Sequence, residues 1–171
     1  MGEHCKGKTA IITGASRGIG KAIASTCADL GIQLTLAARN EGPLQETAQE
    51  IKKKYKVEVL AVATDVTKLS DLENLVNKAK EKFGRIDILI NNAGVSSQYP
   101  FEKQPFEDFE SLVHTNYLGY VRLIRLVIND MIKNKSGAII NMVSGSTLCD
   151  PLPRNFLVYS SLKVGLRAFS K

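Results

Sequence analysis

The chain has 171 residues, of which 44% are hydrophobic and 23% are charged. This length and apolar content suit one globular domain with a substantial core, spanning residues 1–171. The chain has no run of about 18 apolar residues, which a membrane-spanning helix requires, and its first residues lack the apolar core of a signal peptide. We therefore expect a cytoplasmic protein without a membrane partner.

The formal net charge is +6, and the basic residues alternate with acidic ones, as in Lys78 to Lys82. Solvated helix faces account for this pattern, and no nucleic-acid recognition motif accompanies it, so we expect no nucleic-acid partner. Cys5, Cys27 and Cys149 are odd in number and lack the spacing of metal ligands. We expect neither a disulfide nor a metal site.

Apolar strands and amphipathic helices alternate along the chain. Hydrophobic periodicity predicts strands at 9–13, 32–37, 57–63, 86–90 and 138–143. Helices are predicted from the first turn to Leu30, from Pro43 to about Tyr55, from a capping box at Ser70–Glu73 to Phe83, from about Phe106 to Lys133, and from about Phe156 onward. This alternation predicts an α/β fold, a Rossmann-like doubly wound parallel sheet with helices on both faces in three layers.

The first strand runs into a glycine-spaced turn that opens a helix. Its glycines are Gly14, Gly18 and Gly20. Gly14 permits a tight turn, and Gly18 and Gly20 leave no side chain between the helix N-terminus and a pyrophosphate. The first two glycines are four residues apart, whereas the common dinucleotide fingerprint places them two apart. The stretch predicts a cofactor-phosphate site.

The end of the second strand indicates which nicotinamide cofactor binds. A site selective for NAD places an acidic residue about 20 residues beyond the glycines, where it accepts the ribose 2′-hydroxyl. Here the strand ends in Ala37, Ala38 and Arg39, and a guanidinium suits a 2′-phosphate. Arg17 could close on the same phosphate, while the nearby Glu41 weakens the argument slightly. We predict NADP(H), with NAD(H) as the weaker alternative.

Tyr159 and Lys163 are four residues apart and so share one face of the last helix. A phenol ordinarily titrates at about 10, too high for ready proton exchange at neutral pH. A neighbouring ammonium favours the ionised phenol. Tyr159 is therefore a candidate general acid for reduction of a carbonyl, and a general base in the reverse direction.

Five separated motifs together resemble those of the short-chain dehydrogenase/reductase family. They are the TGxxxGIG turn at 13–20, Asp65-Val66 after the third strand, the NNAG stretch at 91–94, Asn116 in the long helix, and the YxxxK pair Tyr159 and Lys163. The resemblance covers residues 8–171. It implies an oxidoreductase that transfers a hydride between NADP(H) and a carbonyl or secondary alcohol, of ketone, 3-ketoacyl or hydroxysteroid type. It also implies a homodimer or homotetramer.

Carried over residue by residue, the resemblance implies a cofactor site and a catalytic group. The implied cofactor site consists of Gly14, Ser16, Arg17, Gly18, Ile19, Gly20, Arg39, Asp65, Val66, Asn92, Ala93, Gly94, Tyr159 and Lys163. The implied catalytic group consists of Asn116, Ser144, Tyr159 and Lys163. In the family the lysine also binds the nicotinamide ribose, and the asparagine organises a water path from the lysine to solvent.

Two serines compete for the role of holding the substrate oxygen. Ser144 follows the fifth strand in the register that the family uses, while Ser146 lies thirteen residues before Tyr159, the family's commonest interval. We choose Ser144 because strand register sets the direction of a side chain, whereas the intervening loop can absorb two residues. Ser146 remains the alternative.

The sequence stops at Lys171, within the last predicted helix and without a glycine cap. Members of the family continue with further strands and helices, so we expect a C-terminally truncated chain that lacks the last strands of the family fold. A nucleotide-binding or regulatory module without turnover is therefore the alternative to an enzyme. The far wall of the substrate pocket would lie in the missing part, so the sequence does not identify the substrate.

Overall fold

A computed structural model of the protein describes residues 4–171. Within these residues, five strands form one parallel sheet in the order β3-β2-β1-β4-β5. The strands are β1 (Thr9–Thr13), β2 (Gln33–Ala38), β3 (Val59–Ala63), β4 (Ile88–Asn91) and β5 (Ala138–Asn141). All five predicted strands are confirmed, with β3 and β4 beginning two residues later than predicted, and so is the doubly wound parallel sheet.

The sheet is apolar on both faces, which explains why its strands read as continuous hydrophobic runs. In β1, Ile11 belongs to one buried cluster, while Ala10 and Ile12 belong to the cluster on the opposite face. β5 lies at the edge of the sheet, and Ile140 in it is 47% exposed. The core is thus two apolar layers separated by the sheet.

Helices cover both faces of the sheet. They are α1 (Gly18–Asp29), α2 (Glu41–Tyr55), α3 (Leu69–Phe83), α4 (Phe106–Val113), α5 (Gly119–Lys133) and α6 (Leu157–Phe169). Leu44 and Ala24 place α2 and α1 on one face, and Leu75 and Leu123 place α3 and α5 on the other. Each fully buried leucine contributes about 2 kcal/mol. No helix in residues 4–171 has the length and apolarity needed to cross a bilayer.

Two details of the predicted helices are wrong. α3 begins at Leu69 with Lys68 as its N-cap, so Ser70 lies inside the first turn and caps nothing. The carboxylate of Asp71 instead accepts a hydrogen bond of 2.9 Å from the backbone N–H of Asp65, which fixes the chain leaving β3. The predicted helix at 106–133 is divided by a π-helical turn, His114–Leu118. This turn surrounds Asn116, whose side-chain amide donates to the Leu112 carbonyl, which explains the interruption.

Candidate active and cofactor site

A cleft of about 410 Å³ lies where the carboxyl ends of the strands meet. Because the strands are parallel, the loops after β1, β2, β3 and β4 all leave the sheet at this edge. Twelve of the residues predicted to bind the cofactor line the cleft: Gly14, Ser16, Arg17, Gly18, Ile19, Gly20, Arg39, Asp65, Val66, Asn92, Ala93 and Gly94. We call it the first cleft. The predicted residues Tyr159 and Lys163 line a second cleft of about 220 Å³.

The glycines of the turn serve different steric purposes. Gly18 adopts a φ of +56°, and a Cβ there would meet nothing within 4 Å. A Cβ on Gly20 would lie 2.2 Å from the carbonyl oxygen of Gly14 and 2.6 Å from Nδ2 of Asn92. Gly20 therefore lets α1 approach the turn closely, and because it also lines the first cleft, its part in the ligand site stays a prediction.

Side chains from distant elements hold the turn in place. The Nδ2 group of Asn92 donates to the carbonyl oxygens of Thr13 (2.9 Å) and Gly14 (3.2 Å). In return, the Thr13 hydroxyl accepts from the backbone N–H groups of Asn92 and Ala93, each at 3.0 Å. The buried Thr47 hydroxyl on α2 donates to the Ser16 carbonyl at 3.0 Å. The amides of the turn are thus held in a fixed arrangement before any ligand binds.

Two arginines give the first cleft a cationic end. Arg17 and Arg39 are both exposed, and neither guanidinium lies within 4.0 Å of a carboxylate in residues 4–171. Asn40 and Pro43 line the cleft beside Arg39, whereas Glu41 begins α2 and does not line it. The charge at this end is therefore available to an anionic ligand.

Asp65 provides the anionic group of the same cleft. Burial raises the pKa of Asp65, but hydrogen bonds from the Thr67 backbone and hydroxyl, together with Lys68 and Arg39, outweigh this and hold the pKa below its usual range. Both bonds from Thr67 end on Oδ1, at 3.0 and 2.8 Å. Oδ2 accepts no hydrogen bond in residues 4–171, so the carboxylate keeps a free acceptor oxygen.

The second cleft joins the first, because Ile19, Asn92, Gly94 and Val95 line both. Asn116 is fully buried in the π-helical turn and lines the second cleft. Its Nδ2 donates to the Val95 carbonyl at 2.9 Å, and its Oδ1 accepts from the Val95 N–H at 3.3 Å. The side chain thus fixes the loop segment at Val95, which lines both clefts.

Lys163 is 3% exposed, and its ammonium donates to the Met142 carbonyl at 2.7 Å and to the Tyr120 hydroxyl at 3.4 Å. Nζ also lies 4.7 Å from the centre of the Tyr120 ring and 5.9 Å from that of Tyr159. Burial lowers the pKa of Lys163 to about 8. Burial, followed by the proximity of Tyr159, raises the pKa of Tyr120 well above its usual range. At neutral pH the lysine remains mostly charged and faces a half-buried Tyr159.

Both candidate serines belong to the short 3₁₀ turn after β5 or to its N-cap. Ser144 is the N-cap of this turn, Gly145–Leu148, and directly follows Val143, which lines the second cleft. Ser146 donates from its hydroxyl to Ser144 Oγ at 3.0 Å. The structure therefore connects the two serines rather than separating them, and their roles stay a prediction.

Two further residues of this site were not identified from the sequence. Thr47 tethers the glycine turn from a different helix, and nothing in its local sequence indicates this contact. Tyr120 lies behind Lys163, and its spacing of four residues from Asn116 was a usable signal, since residues at that spacing share a helix face. In residues 4–171 no group of three or more His, Cys, Asp or Glu side chains could hold a metal ion.

Comparison with known proteins gives relatives along nearly the whole chain. The family model described as short chain dehydrogenase matches residues 8–171. The 3-ketodihydrosphingosine reductase of Mus musculus is 36% identical over 169 residues, which cover 96% of this chain and 50% of that protein. The chain thus spans about half the length of this curated relative.

Solved structures share the fold. The L-sorbose reductase from Gluconobacter frateurii, complexed with NADPH and L-sorbose, has a TM-score of 0.91 and 34% identity, covering 97% of this chain and 62% of that one. An NAD⁺-bound xylitol dehydrogenase has a TM-score of 0.91 and 28% identity, covering 98% of this chain and 64% of that one. The fold, the order of the motifs and the family match thus agree from Lys8 onward, and the chain belongs to the short chain dehydrogenase family.

Proposed function

We propose that this chain is an NADP(H)-dependent oxidoreductase that interconverts a carbonyl and a secondary alcohol. The observation that carries the proposal is the junction of the two clefts. A dinucleotide whose phosphates lie at the glycine turn in the first cleft can extend past Gly94 toward Tyr159 and Lys163 in the second. The proposed cofactor site and the proton-transferring pair, Tyr159 and Lys163, therefore lie along one continuous cleft.

The residues of the first cleft suit a phosphorylated dinucleotide. The turn amides at the start of α1 suit the pyrophosphate, with Ser16, Gly18 and Ile19 around them. Arg39 and Arg17 would hold a ribose 2′-phosphate, since a guanidinium binds phosphate through two parallel hydrogen bonds. The carboxylate of Asp65 and the adjacent Val66 would contact the adenine. The absence of an acidic residue at the end of β2 favours NADP(H) over NAD(H), although solved relatives of both kinds exist.

The residues of the second cleft would handle the substrate oxygen. Bound NADPH would supply the hydride for the carbonyl carbon. Tyr159 donates its phenolic proton to the carbonyl oxygen, and the Lys163 ammonium stabilises the phenolate that remains. Ser144 donates a hydrogen bond to the same oxygen as negative charge develops on it. Asn116 positions the segment at Val95 against which the reactants lie.

The substrate class follows from chemistry and from similarity together. Val95, Met142 and Val143 line the second cleft, so a substrate with an apolar portion beside its carbonyl would fit. The relatives named above include reductases of a 3-ketosphingoid and of a keto sugar. We propose a ketone or, in the reverse direction, the corresponding secondary alcohol, with 3-ketoacyl compounds and the ketone forms of hydroxysteroids as the first to test.

We further propose, from the family resemblance, that the chain acts in the cytoplasm as a homodimer or homotetramer and as one domain. Exposed apolar side chains on the helices expected at the interface support self-association. Phe106 on α4 is 84% exposed, and Val164 on α6 is also exposed.

The test is consumption of NADPH by the 171-residue chain against a panel of ketones and β-ketoacyl esters. Tyr159→Phe is expected to reduce kcat by about 10²- to 10⁴-fold, because it removes the proton donor. Tyr55→Phe, at the end of α2 and far from both clefts, is the matched control and should retain turnover. A thermal shift with NADPH but no turnover in any assay would support the nucleotide-binding module instead.

A further inference from the structure

A serine next to the proton donor on α6 has no role in the proposed function. Ser160 is fully buried, and its hydroxyl donates to Ser146 Oγ at 2.9 Å, the one hydrogen bond that its side chain makes in residues 4–171. Ser146 forms the next hydrogen bond, in which its hydroxyl donates to Ser144 Oγ at 3.0 Å. The backbone N–H of Ser146 also donates to Ser144 Oγ, at 3.2 Å. Three hydroxyl groups thus form a chain that ends beside the second cleft.

The burial of Ser160 determines which of the three hydroxyl groups donates and which accepts in each hydrogen bond. A hydroxyl offers one proton and two acceptor sites. If Ser160 accepted from Ser146, its own proton would be buried without a partner, which protein interiors avoid. Ser160 therefore donates, and Ser146 in turn donates to Ser144. The two acceptor sites of Ser144 are then filled by the hydroxyl and the N–H of Ser146, so its own proton can only point away from them.

We propose that Ser146 and Ser160 are positioning residues that hold Ser144 as a hydrogen-bond donor toward the substrate oxygen in the second cleft. The inference rests on the proposed function and deepens it. Ser144 is not itself among the residues that line this cleft, but it directly follows Met142 and Val143, which are. Successive hydroxyl donors polarise one another, so the last proton of the chain is a better donor than that of an isolated serine. The arrangement suits an acceptor such as a carbonyl oxygen. It also gives a role to each of the two serines that the sequence offered as alternatives, with Ser144 as the donor to the substrate and Ser146 as its support.

The experiment measures kcat, KM and the NADPH dissociation constant for Ser160→Ala, Ser146→Ala and the double variant. Ser161→Ala is the matched control, because Ser161 is the next residue of α6, is exposed, and donates only to the Leu157 carbonyl within its own helix. Ser160→Ala should lower kcat about fivefold, as expected for the loss of one neutral hydrogen bond. NADPH affinity should stay unchanged. The double variant should lose no more than Ser146→Ala alone, since without Ser146 the chain is already broken.

Three results would overturn the inference. One is a kcat for Ser160→Ala equal to that of Ser161→Ala. Another is a parallel loss of NADPH affinity, which would indicate general damage to α6. The third is a double variant whose fold-loss in kcat equals the product of the losses in the two single variants, which would mean that the two serines act independently. If Ser160→Ala fails to fold, Ser146→Ala still decides, because Ser146 lies in a half-buried turn and should show the same kcat loss at unchanged NADPH affinity. An inactive wild-type chain would instead refute the proposed function, and the inference with it.

Discussion

Replacing Lys163 by methionine should change how the stability of the protein depends on pH. The ammonium is 3% exposed, and burial lowers its pKa from the ordinary 10.5 to about 8. Between these two values the unfolded chain still binds a proton that the folded chain has released. The free energy of unfolding therefore rises as pH increases through this interval. Below pH 8 the folded protein still buries the charged ammonium, so the destabilisation caused by that burial is fully present.

The expected size follows from the two values of the pKa. The difference between 10.5 and about 8 corresponds to about 3 kcal/mol. The buried phenol of Tyr120 acts in the opposite direction at higher pH, because its raised pKa lets unfolded chains lose that proton first. This second effect begins near the ordinary phenol value of about 10. Burial also raises the pKa of the Cys27 thiol, and subtracting the curve of the Lys163 variant from that of wild type removes this contribution.

The assay is urea denaturation of the cofactor-free protein at fixed ionic strength, at several pH values between 7 and 10. The free energy of unfolding of wild type minus that of Lys163→Met should rise by about 2 to 3 kcal/mol across this range. Lys78→Met, which removes an exposed ammonium on α3, should give a difference that stays flat. Parallel curves for wild type and Lys163→Met would refute the reasoning, because they would mean that Lys163 is not desolvated.

Two further substitutions test the first cleft. Arg39→Asp should lower the ratio of NADPH to NADH affinity by at least about tenfold, because a charged hydrogen bond is lost and replaced by repulsion. Isothermal titration measures both dissociation constants, and Arg125→Asp on α5 is the control for the change in net charge. An unchanged ratio would contradict the assignment of NADP(H). Gly20→Ala should destabilise the protein by about 1 to 3 kcal/mol and weaken NADPH binding, since its Cβ would meet the Gly14 carbonyl at 2.2 Å. Gly42→Ala, where a Cβ would meet nothing within 4 Å, should do neither, and equal melting temperatures for the two variants would show that the turn can relax.

Local patterns in the sequence were enough to predict the elements and their arrangement. Strands with apolar residues on both faces predict a buried parallel sheet, and periodicity needs only near neighbours in the chain. The Tyr159–Lys163 spacing likewise placed the two residues on one helix face, because helical geometry alone determines it. Arg39 could be assigned to the first cleft since parallel strands bring their carboxyl ends to one edge. These predictions hold because each depends on spacing or on topology rather than on a particular contact.

Other features were decided by tertiary packing. Thr47 reaches Ser16, Asn92 reaches the Thr13 and Gly14 carbonyls, and Ser160 reaches Ser146, each across a long separation in sequence. The sequence by itself determined the fold class, the family and twelve of the residues that line the first cleft. The structure alone decided which of these residues support one another, why Gly20 must be glycine, and how far burial lowers the pKa of Lys163. The physical reason is that hydrogen bonds, steric contacts and desolvation depend on distances between atoms, and those distances exist only once the helices and strands have packed.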